Sequence, residues 1–387
     1  MLIAPDLAAA RFLFPRVLGV THLYTLGVIL ASVFGALYQF YPMALGAGAR
    51  SVGVGVAGAW LLHGGVALLV AGLWLSRPVL QAAAWLVLFV AVGCVSWNLL
   101  PNRRRMMQGR RAAGYVSAAH SMLGFAMFIA GARIGEGLGW WSVDRLGAIA
   151  AHFHLAAFGF AGLTAVGVGS RMLPMFLVSG SGPAWPVRII GPVAVVGLML
   201  LGGGLLFSVP ALTWPGALLG VAAAALFVGM ITGYFRRRMV RALEPAFGHV
   251  LAGFVALALA LVAGLAQLAQ PGVSFRGWVV YAELTLLGWL VVFITGVWYR
   301  LFPFLIWLHF YGGGEGPVPA PTELVHRPTA WTALALLAGG VALLVIGSGV
   351  GSPGVTRGGA TGVLAGSLLI AAQYVRIYRG RRGWRAT

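Results

Sequence analysis

Apolar residues in this chain come in long unbroken runs rather than in alternation with polar ones. A run of about 20 apolar residues crosses a hydrocarbon core of about 30 Å. Within lipid the backbone must satisfy its own hydrogen bonds, which leaves helices or a closed barrel. Continuous runs, without period-two alternation, point to helices. The runs predict spans over 16–42, 51–75, 78–100, 112–134, 147–176, 187–208, 211–234, 246–269, 277–308, 328–348 and 358–378. Gly and Pro clusters separate them, as at Ser179–Pro186 and Gly312–Pro321. The expected fold is an all-α polytopic membrane protein of about eleven transmembrane helices.

Composition agrees. Of 387 residues, 60% are hydrophobic and 9% charged, with a mean hydropathy of +0.94. A soluble domain of this length could not solvate such a surface. The net charge is +19, and every cation is arginine. The arginines sit in short loops between apolar runs, which argues for topology and against a nucleic-acid partner. The richest clusters are Arg103–Arg105 with Arg110 and Arg111, Arg236–Arg238 with Arg241, and Arg376 to Arg385. They follow the third, seventh and eleventh spans. The positive-inside rule then places the N-terminus outside and the C-terminus in the cytoplasm, in a bacterial inner membrane. Cys94, alone in an apolar run, forms no intrachain disulfide. Met1 to Phe14 has no apolar segment ending in a cleavage site, so no removable leader is expected.

The first, fifth and ninth spans repeat residue by residue. His22, Gly27, Gly35 and Pro42 recur as His154, Gly159, Gly167 and Pro174, and again as Glu283, Gly288, Gly296 and Pro303. Tyr38, Ser170 and Tyr299 share one register, and Gln39, Arg171 and Arg300 the next. A second repeat pairs the fourth and eighth spans. His120 precedes Gly124–Phe125 as His249 precedes Gly253–Phe254. The expected organisation is a single membrane domain with repeat units near 1–105, 106–240 and 241–387. It forms a pseudo-threefold 3 + 4 + 4 bundle, with small residues letting helices approach.

Polar rings within a membrane are costly and need partners, so the intramembrane histidines are the candidates for chemistry. His22 and His154 occupy one register, about 8–10 Å below the outer interface at a rise of about 1.5 Å per residue. Imidazoles at one depth on two helices suit axial ligation of a haem iron from both faces. His152, two residues from His154, projects about 200° away around the helix. It serves a second cofactor or bonds a neighbouring helix. His63, near the middle of the second span, either approaches a metal held by His22 or His152 or makes a structural bond. His120 and His249 lie about 10 Å deeper, out of reach of the same iron; packing roles are expected of them. Glu283 is the acid deep in a span, and it holds the third copy of the His22/His154 position. It bonds a ligating His, takes up protons, binds a second metal, or is simply a hydrogen-bonded buried acid. There is no phosphate loop, no CxxCH attachment and no Cys pair, so any haem is held non-covalently.

Ala151-His152-Phe153-His154, with Pro174 twenty residues further on, resembles the His-x-His helix of haem–copper oxidase subunit I. That superfamily is also built as three repeats of four helices. The resemblance implies a high-spin haem on His152 and a low-spin haem on His154. The Gly159 and Pro174 registers, Leu163–Val166 and His22-Leu-Tyr-Thr-Leu-Gly27 are similar to short NnrS-type membrane haem proteins, which are associated with nitric oxide tolerance. There are departures. No helix carries an adjacent His-His pair, no His-Pro-Glu-Val-Tyr-like segment is present, and Glu283 stands where a third ligating His is expected. In a permuted assignment His22 and His63 flank a non-haem metal, copper or iron, opposite a haem on His152.

Three functions are in competition. The first is a b-type haem protein that binds, senses or detoxifies nitric oxide, with O2 or CO as related ligands. The second is an oxidoreductase with haem and a second metal, fed by quinol or an external donor. The third is a transporter with substrate at its repeat core. The histidines favour the first two. A homo-oligomer is compatible with each.

Overall fold

The computed structural model describes residues 2–100, 110–180, 182–239, 242–312 and 318–380. Among them, eleven helices are long and apolar enough to cross a membrane. They are α1 (Pro15–Met43), α2 (Val52–Trp74), α3 (Pro78–Leu99), α4 (Arg110–Gly137), α5 (Arg145–Phe176) and α6 (Trp185–Leu206). The rest are α7 (Pro210–Arg236), α8 (Pro245–Ala269), α9 (Phe275–Tyr311), α10 (Arg327–Val350) and α11 (Pro353–Arg379). A short turn of helix, Ala4–Ala8, precedes α1. The described residues contain no strand, only an isolated bridge between Ser179 and Arg238. The chain is an all-α polytopic membrane protein. Arg103–Arg105, Arg241, Arg381, Arg382 and Arg385, which entered the orientation argument, lie outside the described residues.

Ten spans begin and end close to the apolar runs that predict them. The eleventh starts at Pro353, five residues before the expected 358. The added residues are helical where small residues let α10 and α11 touch. A Cβ on Gly359 would collide with the backbone of Leu344, and one on Gly362 with Gly340.

The three repeat-core helices share a feature that hydropathy does not show. Each carries an eight-residue π-helical segment: Leu23–Leu30 in α1, Leu155–Gly162 in α5 and Leu284–Val291 in α9. The segments begin immediately after His22, His154 and Glu283. Each closes on a backbone bond five residues back: Ala31 to Leu26, Leu163 to Phe158, and Val292 to Leu287. Such wide turns are rare and concentrate at functional sites.

Each core helix is followed by a helical hairpin: α2–α3, α6–α7 and α10–α11. The hairpins close with one motif. The amide of Arg77 bonds Gly72 O at 2.9 Å, that of Val209 bonds Gly204 O at 2.8 Å, and that of Ser352 bonds Gly347 O at 2.8 Å. One residue earlier the backbone is left-handed, at Ser76, Ser208 and Gly351, with φ of 51°, 54° and 73°. One residue later a proline opens the next helix: Pro78, Pro210 and Pro353. The glycine is required by contact across the hairpin. A Cβ on Gly72 would stand 2.9 Å from Gln81 N, on Gly204 2.5 Å from Thr213 N, and on Gly347 2.5 Å from Thr356 N.

Packing divides the chain into two compact units, Leu18–Arg241 and Met1–Val17 with Ala242–Thr387. In the first, α4 lies on α5, where Gly159 and Gly167 face Met122 and Tyr115. In the second, α8 lies on α9, where Gly288 and Gly296 face Ala256 and Ala246. The core of the second unit is an aliphatic seam of Ala330, Ala333, Leu337, Val341 and Leu344, with Val292 and Tyr299 against it.

Candidate metal centre

Five of the intramembrane histidines follow one local rule. His22, His63, His120, His154 and His249 each set Nδ1 against the carbonyl one turn back: Leu18, Ala59, Val116, Ala150 and Pro245, at 2.7–2.9 Å. A carbonyl oxygen only accepts, so Nδ1 is the donor and each ring is the tautomer with its lone pair on Nε2. His152 reaches the same state across helices, its Nδ1 donating to Ala126 O of α4 at 2.8 Å. A backbone carbonyl behind Nδ1 is the usual outer support of a metal-ligating imidazole, because it fixes the ring and raises the basicity of Nε2.

Within the Leu18–Arg241 unit, the ring facing His22 is that of His152. Their centroids lie 6.4 Å apart with planes tilted by 37°. His154 projects elsewhere from the same helix. Its ring stacks on Phe158 at 5.9 Å and meets Phe153 edge-on at 5.4 Å. Two imidazoles that share one metal from opposite sides have centroids about 6 Å apart, given a metal–nitrogen bond of about 2 Å. The His22–His152 centroid separation matches that value.

The other candidates take separate positions. His63 is exposed on α2, with its bond to Ala59 O made. His120 is buried between Phe34, stacked at 6.0 Å, and Phe160, edge-on at 5.7 Å; its Nε2 has no partner. His249, in the other unit, lies 5.1 Å from the ring of Tyr299, and its Nε2 is likewise buried without a partner. Glu283, also in that unit, accepts from Ser348 Oγ at 2.7 Å through Oε1, while Oε2 is buried without a partner. Arg276 Nη1 donates to Ser348 O at 2.8 Å and to Ala8 O at 2.9 Å, so the N-terminal segment is tied to the residue that supports Glu283.

Ser348 was not legible as the partner of Glu283, because a serine in an apolar helix reads as tolerated. Among the described residues, no group of three or more His, Cys, Asp or Glu side chains converges as a metal site. The chain matches no protein-family model and no curated protein.

Proposed function

We propose that this chain is a b-type haem-binding integral membrane protein that binds, senses or detoxifies nitric oxide. The observation that carries the reading is the His22–His152 pair: facing rings at 6.4 Å, each with Nδ1–H donated to a carbonyl. Two imidazoles are too few for a bare tetrahedral ion. They suffice for haem, whose porphyrin supplies the remaining donors and, when bound, the redox and gas-binding chemistry. The chain's own contribution is to hold two half-buried imidazoles in fixed orientation, each by its Nδ1 bond to a carbonyl. The nitric oxide element rests on the resemblance at His22–Gly27 and His154–Pro174. The arginine clusters support a bacterial inner membrane with the N-terminus outside.

The separate setting of His154 favours a second reading, in which His152 and His154 serve different centres and a second metal makes the protein an oxidoreductase. Visible spectra and metal analysis of purified protein, oxidised and reduced, with and without NO or CO, test both. Stoichiometric haem without further metal supports the first reading, and haem with additional iron or copper supports the second. Purified protein lacking haem, even after reconstitution with it, overturns both.

A further inference from the structure

The helices of the Leu18–Arg241 unit run alternately, so one end of it gathers the last residues of α1, α3, α5 and α7 and the first of α2, α4 and α6. Arginines mark nearly every one of these chain ends. Arg50 precedes α2, Arg110 and Arg111 open α4, Arg171 nears the end of α5, Arg188 lies in the first turn of α6, and Arg236–Arg238 close α7. The acids of 18–241 are Glu136 and Asp144 alone; Glu136 lies in the last turn of α4 and Asp144 just before α5, at the opposite end. No carboxylate of this unit is placed to neutralise the arginine-rich end. The chain does pair an arginine elsewhere: Arg300 meets Glu244 at 2.9 Å in the other unit.

Several of these guanidinium groups are held rather than loose. Arg50 Nη2 donates to Leu100 O at 3.0 Å while its guanidinium stacks 5.3 Å over Trp97. Arg237 lies 5.9 Å over Tyr234 and packs against Gly182. Holding a guanidinium in place lowers the entropy lost when it takes up a bidentate oxyanion. Trp97, Trp185 and Met239 are exposed at the same end. A single occupant that satisfies both a fixed cation and an exposed apolar side chain has a phosphate and an acyl chain.

We propose that this end of the Leu18–Arg241 unit is a binding surface for anionic phospholipid headgroups. Topology alone asks for positive charge in these loops. It does not ask for guanidinium groups held on aromatic rings, nor for the complete removal of carboxylates. Surface arginines contribute about 1 kcal/mol each to anionic lipid binding, or about fivefold in affinity.

The test uses full-length protein in nanodiscs of neutral phosphatidylcholine, with and without added phosphatidylglycerol. Retained lipid is read by native mass spectrometry, and thermal stability is measured in parallel. The expected result is preferential retention of phosphatidylglycerol and a raised melting temperature. Arg50→Gln, Arg171→Gln and Arg237→Gln each weaken retention about fivefold. Arg77→Gln, at the opposite end, leaves it unchanged. The single variants keep the test valid if a triple variant does not fold. Equal retention of the two lipids overturns the proposal, as does loss of selectivity in Arg77→Gln matching that in Arg237→Gln. Inorganic phosphate alone reproducing the full stabilisation also overturns it, since the site would then take a free anion.

Discussion

The Nδ1 atoms of His22 and His152 decide what these rings can do. Each is committed to a carbonyl, so each ring offers one lone pair on Nε2. If one haem iron lies between them, His22→Ala and His152→Ala each open an axial position. The haem then turns from low-spin to high-spin and CO-reactive, or is lost, which spectra and haem content report. His63→Ala leaves both unchanged, because that ring is exposed on α2 and makes no ring contact with His22 or His152 like the one between those two. If His152 carries haem and His22 shares a separate metal, His152→Ala strips haem while His22→Ala depletes only that metal. Normal low-spin haem in both His22→Ala and His152→Ala ends the paired assignment. Glu283 makes a smaller, separate test. Ser348→Ala removes the donor to Oε1 and leaves a buried oxygen unpaired, a cost of about 1–3 kcal/mol. The measurement is thermal inactivation in detergent, and an unchanged profile shows that the bond contributes nothing.

Helices were legible from the sequence because twenty apolar residues in lipid have few alternatives to a helix. The wide turns in α1, α5 and α9 were not, since hydropathy cannot tell an i→i+5 bond from an i→i+4 bond. Their one trace was the constant spacing from His22, His154 and Glu283 to the glycine five residues on. The candidate site was half legible for a related reason. Equal register in α1 and α5 fixes the depth of His22 and His154 but not the direction in which each ring faces. That direction depends on helix rotation and on Ala126 O of α4, which takes the Nδ1 proton of His152. The hairpin motif was hidden because Gly72, Gly204 and Gly347 sit among many glycines. Only across-hairpin distances separate them from the rest. Valine at Gly204 forces a collision with Thr213, where a Cβ already stands 2.5 Å from its amide nitrogen. A destabilisation of about 1–3 kcal/mol is expected. Gly203→Ala, with open space around its Cβ, leaves the melting profile unchanged. Equal melting of the two variants would show that the hairpin contact does not constrain the fold.

At the scale of the whole molecule, eleven helices among the described residues are long and apolar enough to cross a membrane, and with all eleven spanning it the two termini are expected on opposite sides. The count rests on three copies of one plan: a core helix with a wide turn, then a hairpin closed by Gly, a left-handed residue and Pro. In the second and third copies a further helix, α4 or α8, packs on the core helix, and the first copy begins at its core helix. The sign of the orientation comes from arginine. With every helix spanning, the chain ends that follow α3, α7 and α11 are expected on one side, and in the sequence they carry the clusters beginning at Arg103, Arg236 and Arg376. That side is therefore expected to be cytoplasmic. Cys94 is the sole cysteine, so a Cys94→Ala background gives clean single-cysteine reporters. A cysteine at Leu2 is expected to react with a membrane-impermeant maleimide in intact cells. One at Arg379 is expected to react only after the membrane is opened. Labelling of both positions in intact cells, or of neither, would place the termini on the same side and remove one span from the architecture.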